Sequence, residues 1–106
     1  MRVELLWWDG CPSYPETQAD LREALASEGV EAEIEMVEIE SDDQARRERF
    51  PGSPTIRIDG EDVFSPEEQE PFSLTCRVYR LRDGRPSPTP DREELREAIR
   101  RRHAHR

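Results

Sequence analysis

The sequence lacks the features that mark membrane and nucleic-acid-binding proteins. Only 33% of its 106 residues are hydrophobic, and no run approaches the roughly 18 consecutive apolar residues of a membrane helix. Lysine is absent, and 25 acidic residues outnumber 16 basic ones to give a formal net charge of -9. This charge repels phosphate backbones and anionic lipid surfaces. We therefore expect neither a nucleic acid nor a membrane as partner.

Length and patterning predict one domain that covers residues 1–106. A chain of this size builds a single modest core, and with 39% charged residues that core must be thin. No internal repeat divides the chain. Acidic residues occur close to the start of MRVELLWWDG and a secretory cleavage site is missing, so we expect a cytoplasmic protein.

Cysteine is scarce, with only Cys11 and Cys76 in the chain. In a cytoplasmic protein, cysteines are more often reduced, reactive or metal-binding than structural cross-links. A free cysteine can also serve as a small buried hydrophobic residue. The residues around each thiol must therefore be used to distinguish a reactive or metal-binding cysteine from a buried structural one.

Hydrophobic periodicity predicts the element order β-α-β-α-β-β-α. Residues 2–8 are apolar on both faces, as in a central strand. Ser41 and Gln44 form a capping box for a short charged helix, and Asp59-Gly60 is a strong hairpin signal. The predicted strands cover 2–8, 32–39, 55–58 and 62–64, and the predicted helices begin at Pro12, Ser41 and Thr89.

This order predicts an α/β fold with a mixed four-stranded sheet and helices on both faces. An insertion of about residues 65–88 precedes the last helix. Within it, the segment 74–81 alternates Leu74, Cys76 and Val78 with other side chains, so it is either a short extra strand or an ordered excursion. The inner face of the last helix is predicted to consist of Leu95, Ala98 and Ile99.

A cysteine after the first strand and the segment FPGSPTIRIDG, at 50–60, resemble the thioredoxin superfamily. The resemblance covers nearly the whole chain except the insertion. It implies that Pro54 is cis and that the backbone of Ser53 is turned toward the cysteine, where it receives an extended peptide. On spacing alone, Pro54 would be an ordinary trans proline that begins a strand.

Cys11 is the predicted reactive residue. It precedes Pro12, whose fixed φ and missing N–H suit the first position of a helix. A cysteine at a helix N-terminus lies near unpaired backbone N–H groups and the positive end of the helix dipole, which favour the thiolate. Cys11 is thus predicted to be an exposed, activated nucleophile. Asp9 acts in the opposite direction, because a nearby carboxylate disfavours a second negative charge.

The motif departs from the Cys-x-x-Cys pattern of the family that it resembles. In CPSY, at 11–14, Tyr14 stands where the second cysteine would be, which excludes a self-contained dithiol at this loop. Ser13 is predicted to be a turn or capping hydroxyl. Trp8 is similar to the tryptophan that precedes the family's motif, although two residues separate it from Cys11. Ordinary packing is the alternative role for this tryptophan.

Cys76 is the only other thiol. In the fold that the resemblance implies, the segment between the fourth strand and the last helix returns toward the cysteine end of the sheet, which would bring Cys76 to Cys11. Arg77 would then favour the Cys76 thiolate. In the alternative, Cys76 is a buried strand residue in register with Leu74 and Val78.

The resemblance implies a thiol-disulfide oxidoreductase in which Cys11 attacks. If the two thiols meet, Cys76 would resolve the mixed disulfide. No cofactor is expected, and the partner is a thiol or disulfide on a protein or a small molecule. The residues predicted to bind this substrate are Pro54, Ser53, Trp8, Tyr14, Pro12 and Arg77.

Two alternatives remain open. Cys11 and Cys76, with Asp9, would also suit a soft metal, and this set loosely resembles the site of organomercurial lyase, in which two thiols grip mercury beside a carboxylate. The fold would equally serve as a binding module with an inert Cys11, because a fold does not determine a function.

Overall fold

The chain folds around a four-stranded mixed sheet with three helices. A computed structural model describes residues 1–64 and 72–104. Its elements are β1 (Val3–Trp7), α1 (Tyr14–Ser27), β2 (Ile34–Glu38), α2 (Asp42–Glu48), β3 (Thr55–Ile58), β4 (Glu61–Asp62), β5 (Tyr79–Arg80), β6 (Pro86–Ser87) and α3 (Arg92–Ala104).

The sheet has the strand order β2-β1-β3-β4, which confirms the predicted four-stranded mixed sheet. β1 is its centre, parallel to β2 and antiparallel to β3, so that Leu5 pairs with Met36 on one side and Ile56 on the other. β3 and β4 form the predicted hairpin. Asp59 and Gly60 both have positive φ there, 53° and 86°, as a two-residue hairpin turn requires.

The two faces of the sheet bury separate apolar clusters, so helices lie on both sides as predicted. On one face, Leu5 and Ile56 pack with residues of α1 and α3, including the predicted Leu95, Ala98 and Ile99. On the other face, Leu6 packs with Ala45 of α2 and with Phe50. This division follows from the pleat, because successive residues of β1 point to opposite faces.

Two helix starts differ from the predictions. α1 begins at Tyr14, with Ser13 at the N-cap, so Pro12 lies in the preceding turn and the helical proline is Pro15. α3 begins at Arg92 because the side chain of Asp91 accepts hydrogen bonds from the N–H groups of Glu93 and Glu94, at 2.9 and 3.1 Å. The sequence pattern had placed this start at Thr89.

The insertion contains little regular strand. Residues 65–71, its first part, lie outside the described residues. In the rest, Tyr79–Arg80 pairs with Pro86–Ser87, and Cys76 makes an isolated parallel bridge with Ser53. The predicted alternation is wrong in phase, because Cys76 and Val78 are exposed while Arg77 and Tyr79 are buried. The segment is therefore an ordered excursion rather than a fifth strand of the main sheet.

The lengths and compositions of the helices show whether any of them could span a membrane. Within residues 1–64 and 72–104, no helix is both long enough and apolar enough to cross a bilayer.

Candidate functional site

The candidate site lies at the edge of the sheet where β1 ends and β3 begins. Because these two strands are antiparallel, the turn after β1 and the segment before β3 meet at the same edge. Cys11 lies in that turn, and its N–H donates to the carbonyl of Trp8 at 3.0 Å. Ser53 and Pro54 lie opposite, joined by a cis peptide bond, as the sequence resemblance implied.

The Cys11 thiol is surrounded by polar atoms. Its Sγ lies 3.5 Å from the carbonyl oxygen of Ser53, to which the thiol donates, and 3.4 Å from the Oγ of Ser13. Ser13 has the N-cap position of α1 but makes no side-chain cap hydrogen bond, so its hydroxyl serves the thiol instead. The thiol therefore faces the segment before β3, as predicted.

The predicted exposure of Cys11 is wrong, because the residue is only 2% exposed. The predicted helical position of Pro12 is wrong as well, so Cys11 lies two residues before the N-cap of α1 rather than next to its first turn. Pro12 itself is exposed. Cys11 belongs to neither apolar cluster, and its sulfur lies beside the Ser13 hydroxyl and the Ser53 carbonyl.

The segment Phe72–Tyr79, called the strap below, crosses this edge of the sheet. The N–H of Ser53 donates to the carbonyl of Thr75 at 2.8 Å, and the carbonyl of Ser53 accepts from the N–H of Arg77 at 2.9 Å. Both backbone groups of Ser53, the residue predicted to receive an extended peptide, are therefore bonded to the protein's own chain. Its hydroxyl is also used, since it accepts from the N–H of Trp8 at 3.1 Å.

The bridge with Ser53 brings Cys76 to Cys11. The two thiols are free rather than disulfide-bonded, and they lie close enough to interact. Hydrogen bonding to the Cys11 side chain is the main reason that the pKa of Cys76 is raised from its ordinary 9.0 to about 11, with smaller contributions from burial and from the charge of Cys11. Cys76 is exposed, so the pair consists of one covered and one accessible sulfur.

The role predicted for Arg77 is wrong. Adjacent residues of an extended segment point in opposite directions, so Arg77 turns away from the thiols while Cys76 turns toward them. The guanidinium is buried and donates to Asp62 at 2.8 Å, to the hydroxyl of Thr55 at 3.3 Å and to the carbonyl of Phe64. It anchors the strap, and the pKa of Cys76 is raised rather than lowered.

Further contacts fix the strap on both sides of Cys76. The N–H of Leu74 donates to Asp42 at 2.9 Å, and the hydroxyl of Tyr79 donates to the carbonyl of Pro54. Gly52 allows the closest approach, since a Cβ there would lie 2.8 Å from the backbone nitrogen of Arg77. Its φ of +148° also favours glycine.

The predicted aromatic residues Trp8 and Tyr14 pack on neighbouring residues beside the site. Trp8 packs with the cluster around Leu6, and its ring covers Gly10 so closely that a Cβ at Gly10 would lie 2.4 Å from it. Tyr14 stacks on Trp7, with ring centroids 4.3 Å apart. Their predicted contact with a substrate stays a prediction.

A metal site of three ligands is not formed by the described residues. Among residues 1–64 and 72–104, no group of three histidine, cysteine or acidic side chains is placed to hold a metal ion. Asp9 is exposed and does not join Cys11 and Cys76 in such a group. The two thiols therefore remain the only pair from the predicted metal set that the structure brings together.

Comparisons with protein-family models, with curated proteins and with solved structures give no match for this chain.

Several residues of the site were missed in the sequence. Gly52 and Tyr79 gave no separate signal, although a glycine and a buried aromatic beside a proline segment are typical of close backbone packing. Asp62 was assigned only to a strand. Its partner Arg77 lies 15 positions further on, and nothing in the local pattern connects the two.

Proposed function

We propose that this protein is a thiol-disulfide oxidoreductase of thioredoxin-like fold, with Cys11 and Cys76 as its redox pair. The observation that carries the proposal is the meeting of the two thiols at Ser53, although 65 positions separate them in the sequence. Two sulfurs within hydrogen-bonding reach of each other require little rearrangement to form a disulfide.

The fold and the segment before β3 support the thioredoxin-like part of this proposal. The element order up to β4 and the mixed four-stranded sheet agree with those predicted from the sequence. The cis peptide bond between Ser53 and Pro54 lies opposite the cysteine that follows β1.

The geometry favours Cys11 as the attacking sulfur and Cys76 as the resolving one. With its pKa near 11, Cys76 keeps its proton at neutral pH and is a poor initial nucleophile. Cys11 has two hydrogen-bonding groups, the Ser13 hydroxyl and the Cys76 thiol, beside its sulfur.

The reaction then proceeds in two exchanges. The Cys11 thiolate attacks one sulfur of a substrate disulfide, forms a mixed disulfide, and releases the other substrate sulfur as a thiolate that takes up a proton. Cys76 loses its proton and attacks the Cys11 sulfur, which forms the Cys11-Cys76 disulfide and releases the second substrate thiol. One disulfide is thereby reduced and one thiol pair oxidised, and the reverse sequence oxidises a substrate dithiol.

Soft-metal binding is the second candidate, and the same pair of thiols favours it. Two facing thiolates suit a soft ion such as Cu(I) or Hg(II) in a two-coordinate arrangement. This proposal does not include Asp9.

The test is mild oxidation of the whole chain with a small disulfide such as oxidised glutathione. We expect an intramolecular Cys11-Cys76 disulfide, detected as the loss of two hydrogen masses and mapped by peptide mass spectrometry. In Cys76→Ser, the reaction should stop at a mixed disulfide on Cys11. In Cys11→Ser, no intramolecular disulfide can form, and any mixed disulfide should lie on Cys76.

Three outcomes would contradict the proposal or favour another function. Absence of the intramolecular disulfide together with no bound metal after incubation with Cu(I) would contradict both candidates and favour a binding module. A stable one-to-one Cu(I) complex that resists glutathione, without disulfide formation, would favour soft-metal binding. A disulfide between two chains would show that the sulfurs do not meet within one molecule.

A further inference from the structure

The closed strap creates a problem of access for the proposed chemistry. Cys11, the sulfur proposed to attack the substrate, is only 2% exposed. The accessible sulfur is Cys76, which holds its proton at neutral pH. An external disulfide therefore meets the less reactive thiol first and cannot reach the other.

The strap also occupies the backbone groups beside Cys11. Both the N–H and the carbonyl of Ser53 are bonded to Thr75 and Arg77, so no incoming segment can add to Ser53 while these bonds persist. The strap thus lies where an incoming extended partner would have to bind, with its own cysteine against Cys11.

We propose that the strap is a gate over Cys11, and that the Arg77-Asp62 ion pair is its latch. This inference rests on the proposed function. In the closed form the pair is positioned for internal disulfide formation. An external thiol or disulfide reacts with Cys11 only after the strap has left Ser53.

The contacts of the strap explain why it can open without the rest of the fold. Its hold on the rest of the fold is largely polar and includes two backbone hydrogen bonds at Ser53, the bond from Leu74 to Asp42, the Tyr79 hydroxyl and the guanidinium of Arg77, with one ring contact between Tyr79 and Phe64. The two apolar clusters that hold the sheet and helices contain only one residue of the strap, Leu74, which is partly buried. Local opening that breaks few apolar contacts requires less free energy than global unfolding.

Arg77 is the positioning residue of this gate. A charge-assisted hydrogen bond is about twice as strong as a neutral one, and in the pair Arg77 is buried while Asp62 is partly buried. Removing the charge of Asp62 leaves a buried guanidinium without its counter-ion, a state that proteins avoid. Release of Arg77 to solvent then lowers the free energy of the open strap relative to the closed one. Because Cys76 is next to Arg77, it moves away from Cys11 when the strap opens.

Oxidation locks this gate. When the Cys11-Cys76 disulfide has formed, the strap is covalently attached beside Ser53. An external dithiol reduces that disulfide by attacking the exposed Cys76 sulfur, which releases Cys11 as a thiol; the second thiol of the dithiol then releases Cys76 and the dithiol leaves as a disulfide, so both thiols and the ability to open are restored. The gate is thus closed in the oxidised protein and can open only in the reduced one.

The test measures the reactivity of Cys11 alone, in the full chain with Cys76→Ser. A thiol-alkylating probe is applied, and its rate is compared with that in the same chain carrying Asp62→Asn. We expect Asp62→Asn to accelerate alkylation by about tenfold or more, because a neutral amide holds the guanidinium less strongly than a carboxylate. Hydrogen exchange at the amides of Ser53 and Arg77 should accelerate in parallel, while the amide of Leu95 in α3 stays unchanged.

Glu28→Gln is the matched control. It also replaces an acid by its amide and breaks an ion pair with an arginine, Arg100, but it lies far from the strap. Cys11 alkylation should not change in this variant. Alkylation in all three proteins should also be nearly independent of low urea concentrations, since opening of the strap exposes little surface compared with unfolding.

The proposal is wrong if Cys11 reacts as fast in the closed protein as in an unstructured peptide, or if Asp62→Asn changes neither the alkylation rate nor the exchange of Ser53. If Asp62→Asn destabilises the whole chain, Tyr79→Phe is the deciding variant, because it removes the hydroxyl that donates to Pro54 and keeps the aromatic ring. In that variant, an alkylation rate and a Ser53 exchange rate equal to those of the parent would also overturn the gate. These outcomes leave the proposed function intact, since it is judged by disulfide formation in the protein with both cysteines.

Discussion

The packed helices α1 and α3 and the strap are held to the same sheet by different forces. Leu21 in α1 and Leu95 in α3 are fully buried against β1 and β3, in a cluster made almost entirely of aliphatic side chains. The strap is held mainly by backbone hydrogen bonds, one ion pair and a tyrosine hydroxyl, with apolar contacts from Leu74 and the Tyr79 ring. Apolar burial contributes to the stability of the whole fold, whereas a few polar bonds at an edge allow one segment to separate.

The position of each cysteine follows from this difference. Cys11 is fixed by a turn between β1 and α1, so its place depends on the core. Cys76 is fixed by the strap, so its place depends on polar contacts that a single substitution can remove. Under the proposed function, a redox pair with one sulfur on each region can form and separate without unfolding the domain.

The strongest test of the comparison is a truncation in the core. Leu21→Ala removes buried methyl groups and leaves a cavity, which should reduce the free energy of unfolding by about 2–5 kcal/mol. Urea denaturation followed by circular dichroism measures it. Tyr79→Phe, in the strap, should reduce this free energy by no more than about 1.5 kcal/mol, the range of one hydrogen bond. Equal losses in the two variants would contradict the division into two regions.

A substitution at the boundary should have an intermediate effect. Gly52→Ala places a Cβ 2.8 Å from the backbone nitrogen of Arg77 and requires alanine at a φ of +148°. We expect a loss of about 1–3 kcal/mol, as for strained backbone positions, with the strap displaced from Ser53. Measured by hydrogen exchange, the amides of Ser53 and Arg77 should lose protection more than those of α1. Gly29→Ala, at a φ of +70° with open space around it, is the control for backbone strain alone.

The smallest effect on stability should come from changing the thiols' mutual interaction. Because the pKa of Cys76 is raised in the folded chain, the reduced protein holds this proton more tightly than the unfolded chain does. Its stability should therefore be unaffected below pH 9 and should fall as the pH rises from about 9 to about 11. In Cys11→Ala, this decline should be reduced, as pH-dependent urea denaturation of the reduced proteins would detect.

The alkylation rate of Cys76 is a second test of the interaction between the two thiols. At pH 8, Cys11→Ala should accelerate it about tenfold, because the gain in thiolate fraction exceeds the lower intrinsic nucleophilicity of a less basic thiolate. An unchanged rate would mean that the two thiols do not interact in solution.

Much of the core could be predicted from local patterns. The alternation in β1 gave the central strand and its two faces, and Asp59-Gly60 gave the hairpin. The capping box at Ser41 is present, with the N–H of Gln44 donating to the serine hydroxyl at 3.0 Å. These signals are local, because each depends on residues a few positions apart and on one physical preference.

The strap could not be predicted in the same way. Its alternating pattern suggested buried Cys76 and Val78, yet Val78 is 62% exposed and the buried residues are Arg77 and Tyr79. A polar side chain is buried only where a distant partner satisfies it. For Arg77 that partner is Asp62, on β4, and the sequence contains no local sign of the pairing.

By itself, the sequence determined the mixed α/β architecture, the central position of β1, the turn that holds Cys11, and the small set of residues to which redox chemistry could belong. Only the tertiary structure decided that Cys76 lies against Cys11, that Cys11 is covered, and that Arg77 is an anchor instead of an activator. Hydrophobic periodicity indicates which side chains of one helix or strand are buried. The meeting of two thiols 65 positions apart depends on how separate segments pair at the edge of the sheet, where hydrogen bonds and charges from distant residues determine the outcome.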